Sequence, residues 1–228
     1  MQNSRRDSLA DKEAETKMWK GKERPRVVVL GASGVGKTSI VKQFFYNLFP
    51  DEHVPTIEEM HSNTYDVSGS KIPISVLDTS GYYEFPAMKR LAIRTADAFV
   101  LVYAINDAES FERVSSLRDS VLEIRRKEEK VLAPMVIVGN KCDLEDSREV
   151  SKDITESVVT IDWENGFVEA SAKDRLNIWQ IFTTALSQSD ICHALRTAEE
   201  RRRKSLPVQP NSKSMHLLDQ KRHSCILQ

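Results

Sequence analysis

The chain has 228 residues, 40% of them hydrophobic, which is enough for one α/β domain with a full core and additional tails. Its three cysteines are an odd number without close spacing, and no apolar N-terminal stretch resembles a secretory signal, so we expect a reducing, cytosolic compartment. No apolar run approaches the roughly 18 to 20 residues of a spanning helix, so any membrane contact must come through a lipid.

Charge and composition divide the chain into three parts. The net charge of −1 consists of +3 for residues 1–26, +5 for residues 196–228 and −9 for the segment between them. Charged and small polar side chains dominate residues 1–23, which we predict to be a flexible arm. We predict a folded domain over residues 24–195 and a basic flexible tail over residues 196–228. We expect no nucleic-acid partner.

The predicted elements begin with the continuous apolar, mostly β-branched run at residues 27–30, which is typical of a strand buried on both faces. Apolar residues at helical spacing follow over residues 37–45, and Ser68-Gly69-Ser70-Lys71 predicts a hairpin turn. The other predicted elements are strands at 61–67, 72–77, 98–105, 135–138 and 167–169 and helices at 85–95, 108–127, 148–158 and 175–194. This alternation predicts an α/β fold with a doubly wound, mostly parallel six-stranded sheet that contains one antiparallel strand.

A glycine-rich segment between the first strand and the first helix fits the pattern G-x-x-x-x-G-K-[ST], with the sequence Gly31-Ala32-Ser33-Gly34-Val35-Gly36-Lys37-Thr38. The glycines let backbone N–H groups converge on phosphate oxygens at a helix N-terminus. We expect Lys37 to bridge the β and γ phosphates and Thr38 to bind Mg²⁺, and we include Ser39 in the predicted site. In the strand end Asp78-Thr79-Ser80-Gly81, we expect Asp78 to hold the magnesium shell and the Gly81 N–H to contact the γ-phosphate.

Two further motifs follow predicted strands: Asn140-Lys141-Cys142-Asp143 and Ser171-Ala172-Lys173. A carboxylate that accepts from both N1–H and the 2-amino group selects guanine, because adenine has no such donor pair. Asp143 fits that role. The sequence therefore predicts binding of GTP and GDP in preference to ATP.

These motifs, in this order and spacing, resemble those of the small GTPases of the Ras superfamily over residues from about 25 to 193. The resemblance implies that Phe49 packs on the guanine edge and that Thr56 closes on Mg²⁺ and the γ-phosphate. Phe85-Pro86-Ala87-Met88 is similar to the divergent Di-Ras and Dexras groups of the Ras branch. The implied partners are an exchange factor, a GTPase-activating protein and effectors that bind the switch regions.

The sequence departs from the Ras pattern near the γ-phosphate. Tyr82 occupies the position of the glutamine that orients the attacking water, Ser33 replaces the usual glycine and Ser80 the usual alanine. We therefore expect intrinsic hydrolysis at or below the slow level of Ras, about 10⁻⁴ s⁻¹. The alternative is a subgroup with its own activating partner. The predicted catalytic residues are Lys37, Thr56, Gly81 and Tyr82. In the effector region, His53, Met60 and His61 also differ from Ras, which predicts that this protein binds different partners.

The last four residues, Cys225-Ile226-Leu227-Gln228, fit a C-a-a-X box whose final glutamine favours a farnesyl group on Cys225. One short lipid gives only marginal attachment, so we expect the basic residues upstream to bind anionic lipid as a second signal. We predict attachment to the cytoplasmic face of the plasma membrane, although endomembranes remain an alternative. Cys192 is expected to stay unmodified.

Three functions are compatible with these motifs. The leading interpretation is a membrane-anchored guanine-nucleotide switch that hydrolyses GTP slowly. The main alternative is a GTP-loaded interaction scaffold with little or no intrinsic hydrolysis, which Tyr82 and Ser33 favour. A small-molecule kinase with a phosphate-binding loop is the least favoured function, because the chain shows no signature of an acceptor-substrate site and Asp143 indicates guanine specificity.

Overall fold

The structure, a computed structural model, describes residues 24–50, 56–67, 70–81, 86–128 and 134–186. Strands and helices alternate along this part of the chain. The strands are β1 (Arg26–Gly31), β2 (Glu58–Val67), β3 (Ser70–Thr79), β4 (Ala98–Ala104), β5 (Met135–Asn140) and β6 (Gly166–Glu169). The helices are α1 (Lys37–Tyr46), α2 (Pro86–Thr95), α3 (Ala108–Lys127), α4 (Lys152–Ser157) and α5 (Ile178–Ala185), with a 3₁₀ segment at Cys142–Ser147 and a π-helical turn at Val158–Asp162.

Within the described residues, the six strands form one sheet in the spatial order β2-β3-β1-β4-β5-β6. Strand β1 pairs in parallel with β3 and β4, and β5 pairs in parallel with β4 and β6. Strand β2 runs antiparallel to β3. The predicted fold, a mostly parallel sheet with one antiparallel strand, is confirmed.

The sheet separates two hydrophobic cores. Alternate residues of β1 face opposite sides, so Val27 and Val29 lie in the core under α1 and α5, whereas Val28 and Leu30 lie in the core under α2 and α3. All four side chains are fully buried. This two-sided burial explains the continuous apolar run that predicts the strand.

An aromatic cluster joins α1 to α5. The Phe44 ring stacks on Phe182 with 3.9 Å between centroids, and it lies 4.8 Å from Trp179 and 5.6 Å from Tyr65 on β2. Aromatic pairs at such distances contribute about 0.5–1.5 kcal/mol beyond area burial. The cluster fixes the helix that follows the glycine-rich loop against the rest of the domain.

The helix predicted at residues 148–158 is wrong at its start, because α4 begins at Lys152. Arg148 is extended, with φ −61° and ψ 127°. Its guanidinium donates to the carboxylates of Glu145 at 2.8 Å and Glu169 at 2.7 Å, and to the Val150 carbonyl at 3.0 Å. The hydrogen bonds to Glu145, and secondarily to Glu169, raise the pKa of Arg148. Tertiary contacts therefore override the local helical pattern.

Other boundaries also shift. Strand β2 begins at Glu58, opposite Thr79, three residues before the predicted start. Helix α5 begins at Ile178 rather than at residue 175, because Arg175 and Asn177 both have positive φ. Four predicted segments lie outside the described residues: the N-terminal arm, the tail, Ser68-Gly69 of the hairpin turn, and the continuation of the last helix beyond residue 186. No helix in the described ranges is long and apolar enough to span a bilayer.

Candidate functional site

The carboxyl ends of the parallel strands β1, β3, β5 and β6 meet at one edge of the sheet, and the loops that follow them surround a cavity of about 670 Å³. Ligands bind at this edge in open α/β sheets. The predicted site residues that line the cavity are Ser33, Gly34, Gly36, Lys37, Thr38, Ser39, Phe49, Thr56, Gly81, Asn140, Lys141, Asp143, Ala172 and Lys173. The fold therefore brings most of the predicted residues together.

The glycine-rich loop curls tightly before α1. Gly34 and Gly36 have φ of 74° and 92°, a region that favours glycine. A Cβ on Gly36 would lie only 2.2 Å from Asn140 Nδ2, so this position also lacks room for a side chain. No side chain of the described residues caps the start of α1. Its first N–H groups are thus free to bind an anion.

The side chain of Lys37 is buried beneath this loop. Its Nζ donates to the carbonyl oxygens of Gly31 at 3.1 Å and Ala32 at 2.7 Å. Burial lowers the pKa of Lys37 to about 8, with partial compensation from the nearby charge of Asp78. Gly31 and Ala32 hold the ammonium group in place, and a phosphate bound at the loop would stabilise its positive charge.

Oxygen atoms from three segments converge beside Lys37. The Thr38 hydroxyl donates to Asp78 Oδ2 at 2.6 Å and lies 2.8 Å from the Thr56 hydroxyl. The other carboxylate oxygen, Asp78 Oδ1, is buried and has no hydrogen-bond partner among the described residues. Burial raises the pKa of Asp78, against the lowering effect of the Thr38 hydrogen bond. A buried, underused carboxylate beside two hydroxyls fits Mg²⁺, which prefers oxygen ligands.

The loop after β3 touches the glycine-rich loop directly. A Cβ on Gly81 would lie 2.4 Å from the backbone nitrogen of Ser33, so a side chain at Gly81 would force the two loops apart. Ser33 and Ser80 both line the cavity, and the Ser80 N–H donates to the Ile57 carbonyl at 3.1 Å. Two of the three predicted departures from the Ras pattern are thus at the cavity, whereas Tyr82 lies outside the described residues.

Side-chain hydrogen bonds organise the loops at the other end of the cavity. Asn140 Nδ2 donates to the Val35 carbonyl at 2.8 Å, and Asn140 Oδ1 accepts from the Ala172 N–H at 3.1 Å. The Ser171 hydroxyl donates to Asp143 Oδ1 at 2.7 Å. Asn140 therefore ties the glycine-rich loop to the loop after β6, and Ser171 orients the carboxylate predicted to read guanine.

Several predicted site residues do not line the cavity but contact the residues that do. The Val35 side chain is in the hydrophobic core, and its carbonyl accepts the Asn140 hydrogen bond. The lining residues Lys37, Thr38 and Asp143 are contacted in this way by Gly31 and Ala32, by Asp78, and by Ser171, respectively. Cys225 lies outside the described residues.

Sequence reasoning assigned no role to four residues that line the cavity: Lys42, Pro50, Thr79 and Leu144. Lys42 lies four residues after Thr38 on the same helix, so helical spacing could have found it. His61, predicted to alter partner choice, is instead buried, with its ring 5.8 Å from Phe45 and its Nδ1 3.1 Å from the Tyr46 hydroxyl. Met60 next to it is exposed.

Comparisons with known proteins agree with this geometry. The family model described as Ras family matches residues 26–190. The chain is 39% identical over 183 residues to the GTP-binding protein Rhes of Homo sapiens, a match covering 78% of this chain and 69% of the relative. It is also 39% identical over 179 residues to the Rhes proteins of Mus musculus and Rattus norvegicus, covering 76% of this chain and 67% of each relative.

The resemblance predicted from the motifs is thereby confirmed. Ras-family proteins are signalling switches that bind GTP, GDP and Mg²⁺, hydrolyse GTP and act with exchange factors, activating proteins and effectors. The match covers more than half of the chain, from β1 to beyond α5. This chain belongs to the Ras family of small GTPases.

Proposed function

We propose that this protein is a membrane-anchored guanine-nucleotide switch that hydrolyses GTP slowly. The observation that supports it is one cavity lined by the phosphate loop, by Thr38 and Thr56, and by the two base-side loops, with Asp78 bonded to Thr38 behind it. We assign the nucleotide-binding domain to residues 24–195, preceded by an arm at residues 1–23 and followed by a basic tail at residues 196–228.

We assign the phosphate end of the nucleotide to the loop before α1. Lys37 would contact the β and γ phosphates, and the Gly81 N–H would contact the γ-phosphate. Thr38, Thr56 and Asp78 would hold Mg²⁺, and the bound ion would neutralise the negative charge that develops on the phosphates. The proximity of the Thr38 and Thr56 hydroxyls, 2.8 Å, supports a shared metal shell.

We assign the guanine base to the other end. Asp143 would accept from N1–H and the 2-amino group, and the hydrogen bond from Ser171 keeps its carboxylate oriented. Phe49 and Lys173 would pack beside the base, because both line the cavity there. Asn140 and Ala172 hold the loops at the correct separation.

We attribute slow hydrolysis to three substitutions relative to the Ras pattern, at positions 82, 33 and 80. A tyrosine at position 82 lacks the amide that can contact water and γ-phosphate together. Ser33 and Ser80 line the phosphate end of the cavity, and the Ser33 side chain is exposed where an activating partner's arginine would enter. We infer that unaided turnover is at or below the slow Ras level of about 10⁻⁴ s⁻¹.

Tyr82→Gln is expected to accelerate single-turnover hydrolysis of bound GTP about tenfold or more, because an amide restores positioning of the attacking water. The measurement is phosphate release from purified, GTP-loaded protein with Mg²⁺. Tyr83→Gln, the adjacent tyrosine, is the matched control and should leave the rate unchanged. Equal rates for native protein and Tyr82→Gln would show that another group positions the water.

The alternative function is a GTP-loaded scaffold with little or no hydrolysis. The position of Ser33 and Ser80 at the phosphate end favours it, since either side chain can hinder an arginine from a partner. The nucleotide extracted from protein purified from its own cells distinguishes the two functions. Mostly GDP indicates turnover, whereas mostly GTP favours the scaffold.

For membrane attachment, we propose a farnesyl group on Cys225 supported by the basic residues of the tail. Each basic residue near an anionic leaflet contributes about 1 kcal/mol, and a lipid chain with a basic cluster gives stable binding where either alone is marginal. The proposed location is the cytoplasmic face of the plasma membrane.

Cys225→Ser is expected to move most of the protein from the membrane fraction to the soluble fraction, because the thioether to the lipid cannot form. Fractionation of cells expressing the full chain measures this. Cys192→Ser provides the matched control and should remain with the membrane. Membrane retention of Cys225→Ser would rule out the proposed anchor.

A further inference from the structure

We propose that a hydrogen bond between Arg175 and Asn47 acts as a clasp that slows nucleotide dissociation, an inference that rests on the proposed nucleotide site. Arg175 Nη2 donates to Asn47 Oδ1 at 2.7 Å. The two residues are 128 positions apart in sequence, so the bond joins separate parts of the fold. Neither residue is part of the motifs that predict the site.

The clasp lies beside the base end of the cavity. Asn47 follows the last residue of α1 and precedes Phe49 by two residues. Arg175 follows Lys173 by two residues. Phe49 and Lys173 both line the cavity. The bond therefore connects the two loops whose Phe49 and Lys173 side chains are assigned to the base.

The backbone holds both partners in uncommon conformations. Among the described residues, the non-glycine positions with positive φ are Asn47, Lys141, Glu164, Arg175 and Asn177, and all but Glu164 belong to loops at this end of the molecule. Asn47 has φ 58°, and its N–H donates to the Gln43 carbonyl at 3.2 Å, while the next N–H, of Leu48, donates to the Lys42 carbonyl at 3.4 Å. Arg175 has φ 59°. Such conformations persist where surrounding contacts determine them.

The clasp complements two other connections. Asn140 and Ser171 fix the loop after β6 to the loop after β5, and the Phe44 cluster fixes α1 to α5 deeper in the domain. Neither connection reaches directly across the rim from the Phe49 loop to the Lys173 loop. Lateral escape of the base requires these two loops to separate, and that separation breaks the bond between Arg175 and Asn47.

The expected effect is moderate because both side chains are exposed. Water competes for an exposed hydrogen bond, so its loss should speed nucleotide dissociation about two- to fivefold rather than by orders of magnitude. Hydrolysis of bound GTP should not change, because the phosphate groups are at the other end of the cavity. This difference separates a clasp from a general loss of structure.

The experiment measures release of a fluorescent GDP analogue from the full chain in the presence of Mg²⁺ and excess unlabelled GDP. Asn47→Gly removes the acceptor and still tolerates positive φ. Asn47→Gly and Arg175→Ala should each accelerate release about two- to fivefold, and the double variant should match the single variants. Asn47→Asp keeps an acceptor and should release no faster than the native protein.

Lys127→Ala is the matched control, because it removes an exposed hydrogen bond to Glu123 on α3, away from the cavity. Its release rate should equal that of the native protein. The clasp is refuted if both single variants release at the native rate, or if their effects multiply in the double variant. If the native protein retains no guanine nucleotide, the proposed function fails as well, so the two failures are distinguishable.

Discussion

Asp143→Asn is expected to lower the affinity for GDP about 100- to 1000-fold and to create affinity for xanthosine diphosphate. The carboxylate of Asp143 is assigned two charge-assisted hydrogen bonds from guanine, worth together about 3–4 kcal/mol. An asparagine amide places a donor against the 2-amino group of guanine. The same donor matches the carbonyl oxygen at position 2 of xanthine.

Competition between a fluorescent nucleotide and unlabelled GDP or xanthosine diphosphate measures this change of specificity. Asp146→Asn is the matched control, because Asp146 is an exposed aspartate in the same 3₁₀ segment and is not among the described residues that line the cavity. It should leave both affinities unchanged. Undiminished GDP affinity in Asp143→Asn would mean that a different group reads the base.

Phe44→Ala is expected to lower the free energy of unfolding by about 3–5 kcal/mol, the cost typical of truncating a buried aromatic. Phe44 is fully buried and contacts rings from α1, β2 and α5. The truncation leaves a cavity between the two helices that support the nucleotide site. This loss is a large fraction of the 5–15 kcal/mol that stabilises a typical domain.

Urea denaturation at a fixed, saturating GDP concentration measures the loss, because bound nucleotide itself contributes to apparent stability. Leu48→Ala, with an exposed side chain two residues after α1 ends, is the control and should change stability by about 0.5 kcal/mol or less. If Phe44→Ala does not fold, Phe44→Leu should still show a loss of about 1 kcal/mol or more. A change within 0.5 kcal/mol in either variant, on the scale usual for surface substitutions, would contradict the packing argument.

Elements were predictable from sequence where local signals agree with the tertiary structure. Helix α3 occupies the predicted residues 108–127, because apolar spacing coincides with a true cap: Asp107 accepts from the Ser110 N–H at 3.0 Å. The predicted helix start at residue 148 was wrong, because ion pairs of Arg148 with Glu145 and Glu169 hold that residue extended. Local periodicity contains no information about a partner as distant as Glu169, 21 residues away.

The candidate site was predictable to the extent that phosphate, magnesium and guanine each demand a particular residue type. Lys37 and Asp143 have the required chemistry and line the cavity. Val35 belongs to the same motif, but its side chain is in the core, because motif membership does not specify side-chain direction. The bond between Arg175 and Asn47 depends on two left-handed residues that no sequence pattern specifies.

The position of the sheet between two cores has a consequence for how the molecule opens. Strands β1, β4 and β5 are covered on both faces, so amide exchange along them requires disruption of both cores and reflects global unfolding. Strands β2 and β6 are at the edges of the sheet. Thr56 precedes one edge strand and the loop of Ser171 follows the other. Local opening at the margins can therefore release a ligand while the central strands stay folded.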